Sequence, residues 1–421
     1  MEEKLLINGG RKLNGSLEIN TAKNSLLPIL AGSILTNKKV IINKVSRFVD
    51  VMYMIKILES LGCKTFFQDD NLVIDSCNAD KYLVKDEFTN KVRSSIFMLG
   101  PLLSRFGKAK VAYPGGCNIG NRPIDLHLKG LKSLNVSIEE KHGYIICDGS
   151  NMKSGEVHLD FPSVGATENI MMASVKLKGT TIIYNAAREP EIEDLQNFIN
   201  SMGGKITGAG TSTIIIHGVD NLNFCEYTPI SDRIIVGTYM IACAMSGGDI
   251  CLNNVIKEHN LALIYKLKQS GVNITESKNS IRIMSKNKLK SIPLIETQPY
   301  PGFPTDLQNQ LLTMQTVSNG TSVVVENLFE SRLKICHELS KMGADIRVRD
   351  KMAIIKGVDK LFGASVLATD LRGGASLVLA GLSAEGYTTI NDIYHIDRGY
   401  LSIEEDFCNL NAEIKRIQNC D

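Results

Sequence analysis

The stretch Leu339-Ser340-Lys341-Met342-Gly343-Ala344 has the form of the end of an amphipathic helix, a tight turn and the start of a strand. Five other stretches share this form, and the turn residue is Gly or Asn each time, as a left-handed helix end requires. The six turn residues are Gly62, Asn135, Gly203, Gly271, Gly343 and Asn411. They lie 73, 68, 68, 72 and 68 residues apart. The chain therefore carries an internal repeat of about seventy residues.

A second marker has the same period. It is a β-branched strand, usually ending in Asn, and its six copies end at Asn43, Tyr113, Asn185, Asn253, Asn327 and Asn391. Each copy also carries a helix that is apolar nearly all round, which predicts a buried helix. These predicted helices span 24–35, 94–103, 167–177, 234–245, 307–317 and 375–382. A second helix in each copy is amphipathic. The pattern predicts an α/β fold with helices inside and six strand–helix–strand–helix–strand repeats, most simply three and three.

Composition excludes several classes of protein. The 421 residues are 43% hydrophobic and 22% charged, which is ordinary for a globular chain of two or three domains. The net charge of +2 gives no electrostatic reason to expect nucleic acid or membrane as a partner. The opening residues lack a signal peptide, and no apolar run reaches the ~18 residues of a spanning helix. Ten scattered cysteines without Cys-x-x-Cys indicate a reducing compartment, so we expect a cytoplasmic protein.

Residues 113–123 form a predicted loop with three Gly and two Pro, and they interrupt the second repeat. Cys117 lies between the glycines, and Arg122 follows five residues later. A nearby guanidinium favours the thiolate, so Cys117 is a candidate acid or nucleophile on a mobile lid. The alternative is a surface loop with an incidental cysteine.

Cationic residues recur at the starts of the predicted buried helices or in the turns after strands. They are Lys23, Arg93, Arg188, Arg233, Arg372 and Arg398. Helix N-termini already attract anions, and Arg can bind phosphate or carboxylate through two hydrogen bonds. The set predicts an anion-binding cleft. Alternatively, each cation pairs with a nearby acid, the candidates being Asp232, Glu189, Asp370 and Asp397.

The segment 300–306 places an acidic residue at a helix start after two prolines and a glycine. Thr305 is a candidate helix cap, and Asp306 would then lie in the first turn. Such a carboxylate could accept the proton of a substrate hydroxyl, or it could only complement the helix dipole. The seven histidines lack metal-ligand spacing, and the glycines fit neither a P-loop nor a Rossmann motif. We therefore predict no metal and no cofactor.

Five motifs together closely resemble the enolpyruvyl transferase family, and within it the members that act on UDP-N-acetylglucosamine in bacterial peptidoglycan synthesis. The motifs are 21–28, 115–127, 185–191, 301–306 and 395–400. The resemblance implies a two-domain inside-out α/β barrel with three repeats in each domain. One domain, 22–230, would carry the Cys117 loop; the other, 1–21 plus 231–421, would carry Asp306 and Arg398. The active site would lie in the cleft between them.

The resemblance also implies a reaction. The 3′-hydroxyl of UDP-N-acetylglucosamine attacks C2 of phosphoenolpyruvate while C3 is protonated, and the tetrahedral ketal then loses phosphate. Cys117 would give the proton and form a phosphothioketal adduct, and Asp306 would act as base or bind the hydroxyl. The phosphoenolpyruvate positions are Lys23, Arg122 and Arg398, with Arg372 near the phosphate. The nucleotide-sugar positions are Asn24, Arg93, Arg122, Pro123, Ile124, Asp125, Leu126, Ser163, Val164, Gly165, Asp306 and Leu328. These two substrates are the partners we expect, for a monomeric enzyme.

Three positions depart from the family pattern. Ile235 stands where a Glu is frequent, Phe161 where some members have a Lys, and Ser331 where an Asn is usual. These departures leave open a catalytically weak or silent paralogue with a regulatory role. A 3-phosphoshikimate 1-carboxyvinyltransferase is less favoured because that relative lacks the cysteine loop. A six-fold clamp around DNA is disfavoured by the net charge.

Overall fold

The structure is a computed structural model, and it describes residues 3–115, 124–286, 288–329 and 331–418. Its described residues divide into two compact units. We call 21–115 with 124–230 the inserted unit, and 3–20 with 231–418 the split unit. Cys117, Arg122 and Pro123 lie outside the described residues, so no structural statement is made about them.

The strands of the described chain are short. In order they are β1 (Glu3–Asn8), β2 (Leu13–Glu18), β3 (Lys39–Ile42), β4 (Lys64–Gln68), β5 (Asn71–Asp75), β6 (Leu83–Val84), β7 (Lys108–Ala112), β8 (Ser137–Lys141), β9 (Tyr144–Asp148), β10 (Glu156–His158), β11 (Thr180–Tyr184), β12 (Lys205–Thr207), β13 (Thr213–His217), β14 (Cys225–Tyr227), β15 (Gly248–Asn253), β16 (Asn273–Glu276), β17 (Ser280–Ser285), β18 (Leu294–Glu296), β19 (Thr321–Val325), β20 (Asp345–Arg349), β21 (Met352–Lys356), β22 (Ser365–Leu367), β23 (Tyr387–Asn391) and β24 (Glu413–Gln418).

The helices alternate with these strands. The α-helices are α1 (Lys23–Gly32), α2 (Val49–Ser60), α3 (Asp86–Thr89), α4 (Leu99–Phe106), α5 (Asp125–Ser133), α6 (Val164–Ser174), α7 (Pro190–Ser201), α8 (Arg233–Ser246), α9 (Leu261–Gln269), α10 (Gln308–Gln315), α11 (Ile335–Lys341), α12 (Leu371–Ser383), α13 (Tyr394–Asp397) and α14 (Ile403–Asn409). Short 3-10 helices span Ser33–Leu35, Arg93–Met98, Lys257–Asn260, Thr305–Leu307 and Arg332–Lys334.

The described strands form six four-stranded sheets of one topology. In each sheet one outer strand is parallel to its neighbour, and the other pairs are antiparallel. The strand orders are β14-β3-β5-β4, β6-β7-β9-β8 and β10-β11-β13-β12 in the inserted unit, and β2-β15-β17-β16, β18-β19-β21-β20 and β22-β23-β1-β24 in the split unit. The sixfold α/β repeat is therefore confirmed. The sheets are separate, and none of those described closes into a continuous barrel.

The six predicted turn residues all have left-handed backbone conformations. Their φ angles are 101° at Gly62, 65° at Asn135, 100° at Gly203, 92° at Gly271, 93° at Gly343 and 72° at Asn411. Each follows an amphipathic helix and precedes a strand or the loop before one. Because a positive φ strains most side chains, Gly and Asn recur here and make the repeat visible in the sequence.

The buried helices lie where the apolar patterns predict them. Every residue of α8 from Arg233 to Ala244 is buried, and so is every residue of α10. In the split unit α8, α10 and α12 contact one another, and in the inserted unit α4 contacts α6. The third helix, α6, begins at Val164 and ends at Ser174, three residues earlier at each end than predicted.

Within the described residues, the chain enters the inserted unit after residue 20 and leaves it after residue 230. β1 pairs with β23 and β24, and β2 pairs with β15, so the first strands belong to the same unit as 231–418. The inserted unit starts and ends side by side, because the amide of Ala22 donates to the carbonyl of Ile230 at 2.8 Å. In the split unit the amide of Asp232 donates to the carbonyl of Asn20 at 2.9 Å.

Candidate active site

The split unit holds a carboxylate on two buried guanidinium groups. Asp306 Oδ1 accepts a hydrogen bond from Arg332 Nη2 at 2.6 Å, and Arg372 Nε lies 3.5 Å from the same oxygen. Arg332 is 2% exposed and Arg372 is 6% exposed, whereas 27% of the Asp306 side chain is exposed. The carboxylate is thus the accessible face of a cluster whose cations lie beneath it.

The two arginines decide the charge of Asp306. Burial alone would raise the pKa of this carboxyl group, but Arg372 and Arg332 outweigh burial and hold the pKa well below its usual value. Asp306 in turn raises the pKa of the Arg372 guanidinium against the effect of burial. Asp306 is therefore ionised at neutral pH and can accept a hydrogen bond from a substrate hydroxyl.

The prediction that Thr305 caps the helix containing Asp306 is wrong. Asp306 does lie in the first turn of the 3-10 segment Thr305–Leu307, but the N-cap residue is Pro304. The Thr305 hydroxyl makes no cap and instead donates to Glu326 Oε2 at 2.8 Å. A buried carboxylate from another segment therefore replaces the local capping interaction.

Two predicted cations begin buried helices of the split unit. Arg233 is the first residue of α8, and Arg372 is the second residue of α12. The aspartate before each helix caps it: Asp232 Oδ1 accepts from two backbone amides at 2.8 and 3.0 Å, and Asp370 Oδ1 accepts from two at 3.0 Å. Among the other candidate acids, Asp397 accepts two hydrogen bonds from Arg416, at 3.0 and 2.7 Å.

A buried hydrogen-bond chain supports the backbone of Asp306. Tyr400 Oη and Thr238 Oγ1 are 2.8 Å apart, and Gln310 Nε2 donates to Thr238 Oγ1 at 3.2 Å. The same Gln310 nitrogen donates to the carbonyl of Asp306 at 3.0 Å. Arg398 lies at the end of α13, two residues before Tyr400, and is half-buried. These hydrogen bonds thus link the Asp306 segment to α8 and to the region that follows α13.

The inserted unit holds a second cationic centre at the start of α1. Lys23 is the first residue of this helix, and its Nζ donates to Asp50 Oδ2 at 3.1 Å. Both side chains are buried. A buried ammonium paired with a carboxylate has a fixed position, which suits it to an anionic ligand. Asn24 follows Lys23 in α1, and Arg93 begins the 3-10 segment Arg93–Met98; both are half-buried.

The start of α6 holds three of the residues that the family resemblance assigns to the nucleotide sugar. Ser163 caps this helix by accepting from the amide of Ala166 at 3.4 Å, and Val164 is the first helical residue. A Cβ on Gly165 would lie 2.9 Å from His127 Cε1, so close packing against that ring favours glycine here. Three more predicted contacts lie at the start of α5, where Ile124 precedes the helix and Asp125 and Leu126 begin it. Leu328 lies in the turn after β19.

The family model of EPSP synthase (3-phosphoshikimate 1-carboxyvinyltransferase) matches residues 7–407. The chain belongs to this family. A UDP-N-acetylglucosamine 1-carboxyvinyltransferase 2 from Caldanaerobacter subterraneus subsp. tengcongensis is 51% identical over 98% of this chain and 99% of its own. A UDP-N-acetylglucosamine 1-carboxyvinyltransferase 1 from Clostridium perfringens is 47% identical over 99% of this chain and its own full length. The predicted resemblance to enolpyruvyl transferases is confirmed.

Solved structures of enolpyruvyl transferases have the same fold. The enolpyruvyl transferase NikO from Streptomyces tendae superposes with a TM-score of 0.89 at 22% identity, covering 99% of both chains. An EPSP synthase from Acinetobacter baumannii gives a TM-score of 0.76 at 16% identity, covering 99% of this chain and 100% of its own. At these identities the likeness establishes the fold alone.

Sequence reasoning missed several charged residues of this enolpyruvyl transferase. Asp50 pairs with Lys23, and Arg332 pairs with Asp306, but neither was a predicted site residue. Glu168 in α6 is 1% exposed, and neither of its carboxylate oxygens has a hydrogen-bond partner in the described ranges. Burial raises the pKa of Glu168 well above its usual value, and Glu191 and Glu189 raise it further. The sequence signal for Glu168 is that an acidic residue lies within a helix whose apolar pattern predicts burial.

The described residues hold neither a candidate metal cluster nor a membrane-spanning helix. Within 3–115, 124–286, 288–329 and 331–418, no three His, Cys, Asp or Glu side chains are grouped so that they could hold a metal ion. No helix in these ranges is both long enough and apolar enough to cross a membrane.

Proposed function

We propose that the chain transfers the enolpyruvyl group of phosphoenolpyruvate to the 3′-hydroxyl of UDP-N-acetylglucosamine and releases phosphate, the first committed step of peptidoglycan synthesis in the cytoplasm. Relatives at 47–51% identity over nearly the whole chain carry the corresponding name. The observation in the structure that best supports this reaction is the cluster of Asp306, Arg332 and Arg372. It offers an ionised acceptor for a hydroxyl directly beside cations for a phosphate group.

Asp306 would receive the hydroxyl proton as the oxygen attacks C2. Arg332 and Arg372 keep its pKa low before substrates bind, which makes the carboxylate a weak base. An anionic phosphate group close to these arginines would offset their charge, so the pKa of Asp306 would rise when the substrates are in place. The base would therefore become stronger in the complex in which it is needed.

The other cations would hold the anionic substrates. Phosphoenolpyruvate carries both a carboxylate and a phosphate, so several cations must converge on it. We assign this role to Lys23, Arg122 and Arg398, with Arg372 near the phosphate. Lys23 has its ammonium group fixed by Asp50 before any ligand arrives, which reduces the ordering cost of binding. Both units would thus contribute to one reaction.

We assign to Cys117 the role of the acid that protonates C3 of phosphoenolpyruvate. This assignment rests on its sequence context, because residues 116–123 lie outside the described ranges. Arg122 follows Cys117 by five residues in the sequence, and a guanidinium near a thiol lowers its pKa. Glycines on both sides of Cys117 in the sequence would suit a loop that approaches and leaves the substrate. The contacts of the nucleotide sugar are assigned to the residues at the starts of α5 and α6, with Asn24, Arg93 and Leu328.

The test is phosphate release from phosphoenolpyruvate with UDP-N-acetylglucosamine, run beside shikimate 3-phosphate, with and without the epoxide antibiotic fosfomycin. Release with the nucleotide sugar alone, blocked by fosfomycin, supports both the acceptor and the reactive thiol. Release with shikimate 3-phosphate instead would overturn the acceptor. Folded protein that releases phosphate with neither acceptor would favour the silent paralogue, and Ile235→Glu would then be the first reversion.

A further inference from the structure

We infer that Glu326 is a positioning residue that sets the place of Asp306 relative to the turn containing Leu328. The inference rests on the proposed function, in which Asp306 accepts the substrate hydroxyl and Leu328 contacts the nucleotide sugar. Glu326 is not among the predicted site residues, and its hydrogen-bond partners in the described ranges include neither Arg332 nor Arg372. Its effect would pass through the backbone segments that it connects.

The Glu326 carboxylate is buried and accepts four hydrogen bonds. It is 2% exposed. Its Oε1 atom accepts from Thr297 Oγ1 at 3.0 Å, from the amide of Leu328 at 2.8 Å and from the amide of Phe329 at 3.1 Å. Its Oε2 atom accepts from Thr305 Oγ1 at 2.8 Å. Three of these donors share Oε1 and one is on Oε2, so the carboxylate holds the 326–329 turn and the Thr305 side chain through different oxygens.

These donors come from three separate segments. Thr297 directly follows β18, Thr305 directly precedes Asp306, and the 326–329 turn directly follows β19. A further bond ties the first and third segments, because the amide of Asn327 donates to Thr297 Oγ1 at 2.9 Å. The turn leads within a few residues to Arg332, the partner of Asp306. One carboxylate therefore fixes both chain segments that supply the Asp306–Arg332 pair.

The replacement of Glu326 by Gln should loosen one of these segments selectively. The amides of Leu328 and Phe329 can only donate, so the single amide oxygen of Gln must face them. The Gln amide nitrogen then faces the Thr305 hydroxyl, which loses its charged acceptor. The expected consequence is a shift of Thr305 and of Asp306 beside it.

A matched control is available in the same unit. Glu338 in α11 is 6% exposed, and it accepts from the amide of Leu367 at 2.9 Å and from Lys341 Nζ at 2.8 Å. Glu338→Gln also removes a buried carboxylate, but its described partners lie outside the Asp306 cluster. It measures the effect of lost stability alone.

The experiment compares kcat, the KM for each substrate and the thermal unfolding midpoint of wild type, Glu326→Gln, Glu338→Gln, Thr305→Val and the Glu326→Gln/Thr305→Val double variant. Glu326→Gln should lower kcat/KM for UDP-N-acetylglucosamine by about tenfold to a hundredfold, the range for one hydrogen bond to a charged group. The KM for phosphoenolpyruvate should change less than twofold to threefold. Thr305→Val should likewise lower kcat/KM for UDP-N-acetylglucosamine while changing the KM for phosphoenolpyruvate little. The double variant should have a kcat/KM only slightly lower than that of either single variant.

The outcomes distinguish the positioning role of Glu326 from the proposed function. Unchanged kinetics in Glu326→Gln, or a loss matched by Glu338→Gln at an equal fall in midpoint, would overturn the positioning role while the proposed function stands. Independent, additive losses in the double variant would overturn it as well. Wild-type protein that neither binds nor turns over UDP-N-acetylglucosamine would overturn the proposed function and this inference together.

Discussion

Replacing Glu168 by Gln should stabilise the inserted unit, and the gain should increase with pH. Glu168 is buried in α6, and in the described structure neither of its carboxylate oxygens has a hydrogen-bond partner. Burial raises its pKa well above the usual value, and Glu191 and Glu189 add to the shift. The folded unit therefore holds a neutral carboxylic acid, which Gln matches in size and in charge.

The magnitude follows from proton linkage. In the unfolded chain Glu168 ionises near its ordinary pKa of 4.5, whereas in the folded unit it keeps its proton to higher pH. Between these two values the folded state binds more protons, so wild-type stability falls by about 1.4 kcal/mol per pH unit. Gln has no such penalty. For a unit of this size, the midpoints of variant and wild type should diverge by roughly 3–6 °C per pH unit.

The assay is thermal unfolding of both proteins at half-unit steps from pH 4.5 to pH 8. The midpoint difference should be near zero at the acidic end and should rise with pH. Glu156→Gln, at an exposed position in β10, is the control and should give a flat difference. A flat difference for Glu168→Gln would refute the reasoning, since it would mean that folding leaves the pKa of Glu168 unchanged. A falling difference would refute it as well, since the folded protein would then stabilise the ionised carboxylate.

Three further predictions concern the site and the core. Asp306→Asn removes the carboxylate from two buried arginines, so turnover should fall at least about a hundredfold and unfolding free energy by about 2–3 kcal/mol; wild-type phosphate release would contradict this. Cys117→Ala should nearly abolish turnover but keep substrate binding by calorimetry, whereas Cys117→Asp should stay active and resist fosfomycin. Gly100→Ala should lower the unfolding midpoint, because its Cβ would lie 2.3 Å from the Asn169 carbonyl oxygen; Gly155→Ala, which has open space, should not.

The repeat could be predicted because its markers are local. A left-handed turn strains Gly and Asn less than most residues, and all six copies have one of these two. The sheet pairings carry no comparable local signal. β6 is only two residues long, and β14 pairs with a strand more than 180 residues earlier in the chain. Strands this short show no reliable alternation, so their partners depend on tertiary packing.

The site was predictable in part for the same reason. The positions of Lys23 and Arg372 at helix starts follow from the local pattern, and the structure has them there. The partners that these two side chains contact do not follow from the local sequence pattern. Thr305 has the ideal residue type for a cap, yet its hydroxyl donates to Glu326, a buried carboxylate 21 residues later in the same repeat. The pairing of Arg332 with Asp306 is likewise non-local.

The pairing of β1 has a consequence for synthesis on the ribosome. Leu5 is flanked in its sheet by Ile390 and Arg416, so β1 must wait for two strands that are made much later. At ~5–20 residues per second the delay is roughly 20–80 s. The inserted unit, whose strands and two ends all lie within 21–230, can complete its fold during that interval. Until β23 and β24 have been made, β1 remains an open edge, and nascent chains on one messenger are exposed to mispairing there.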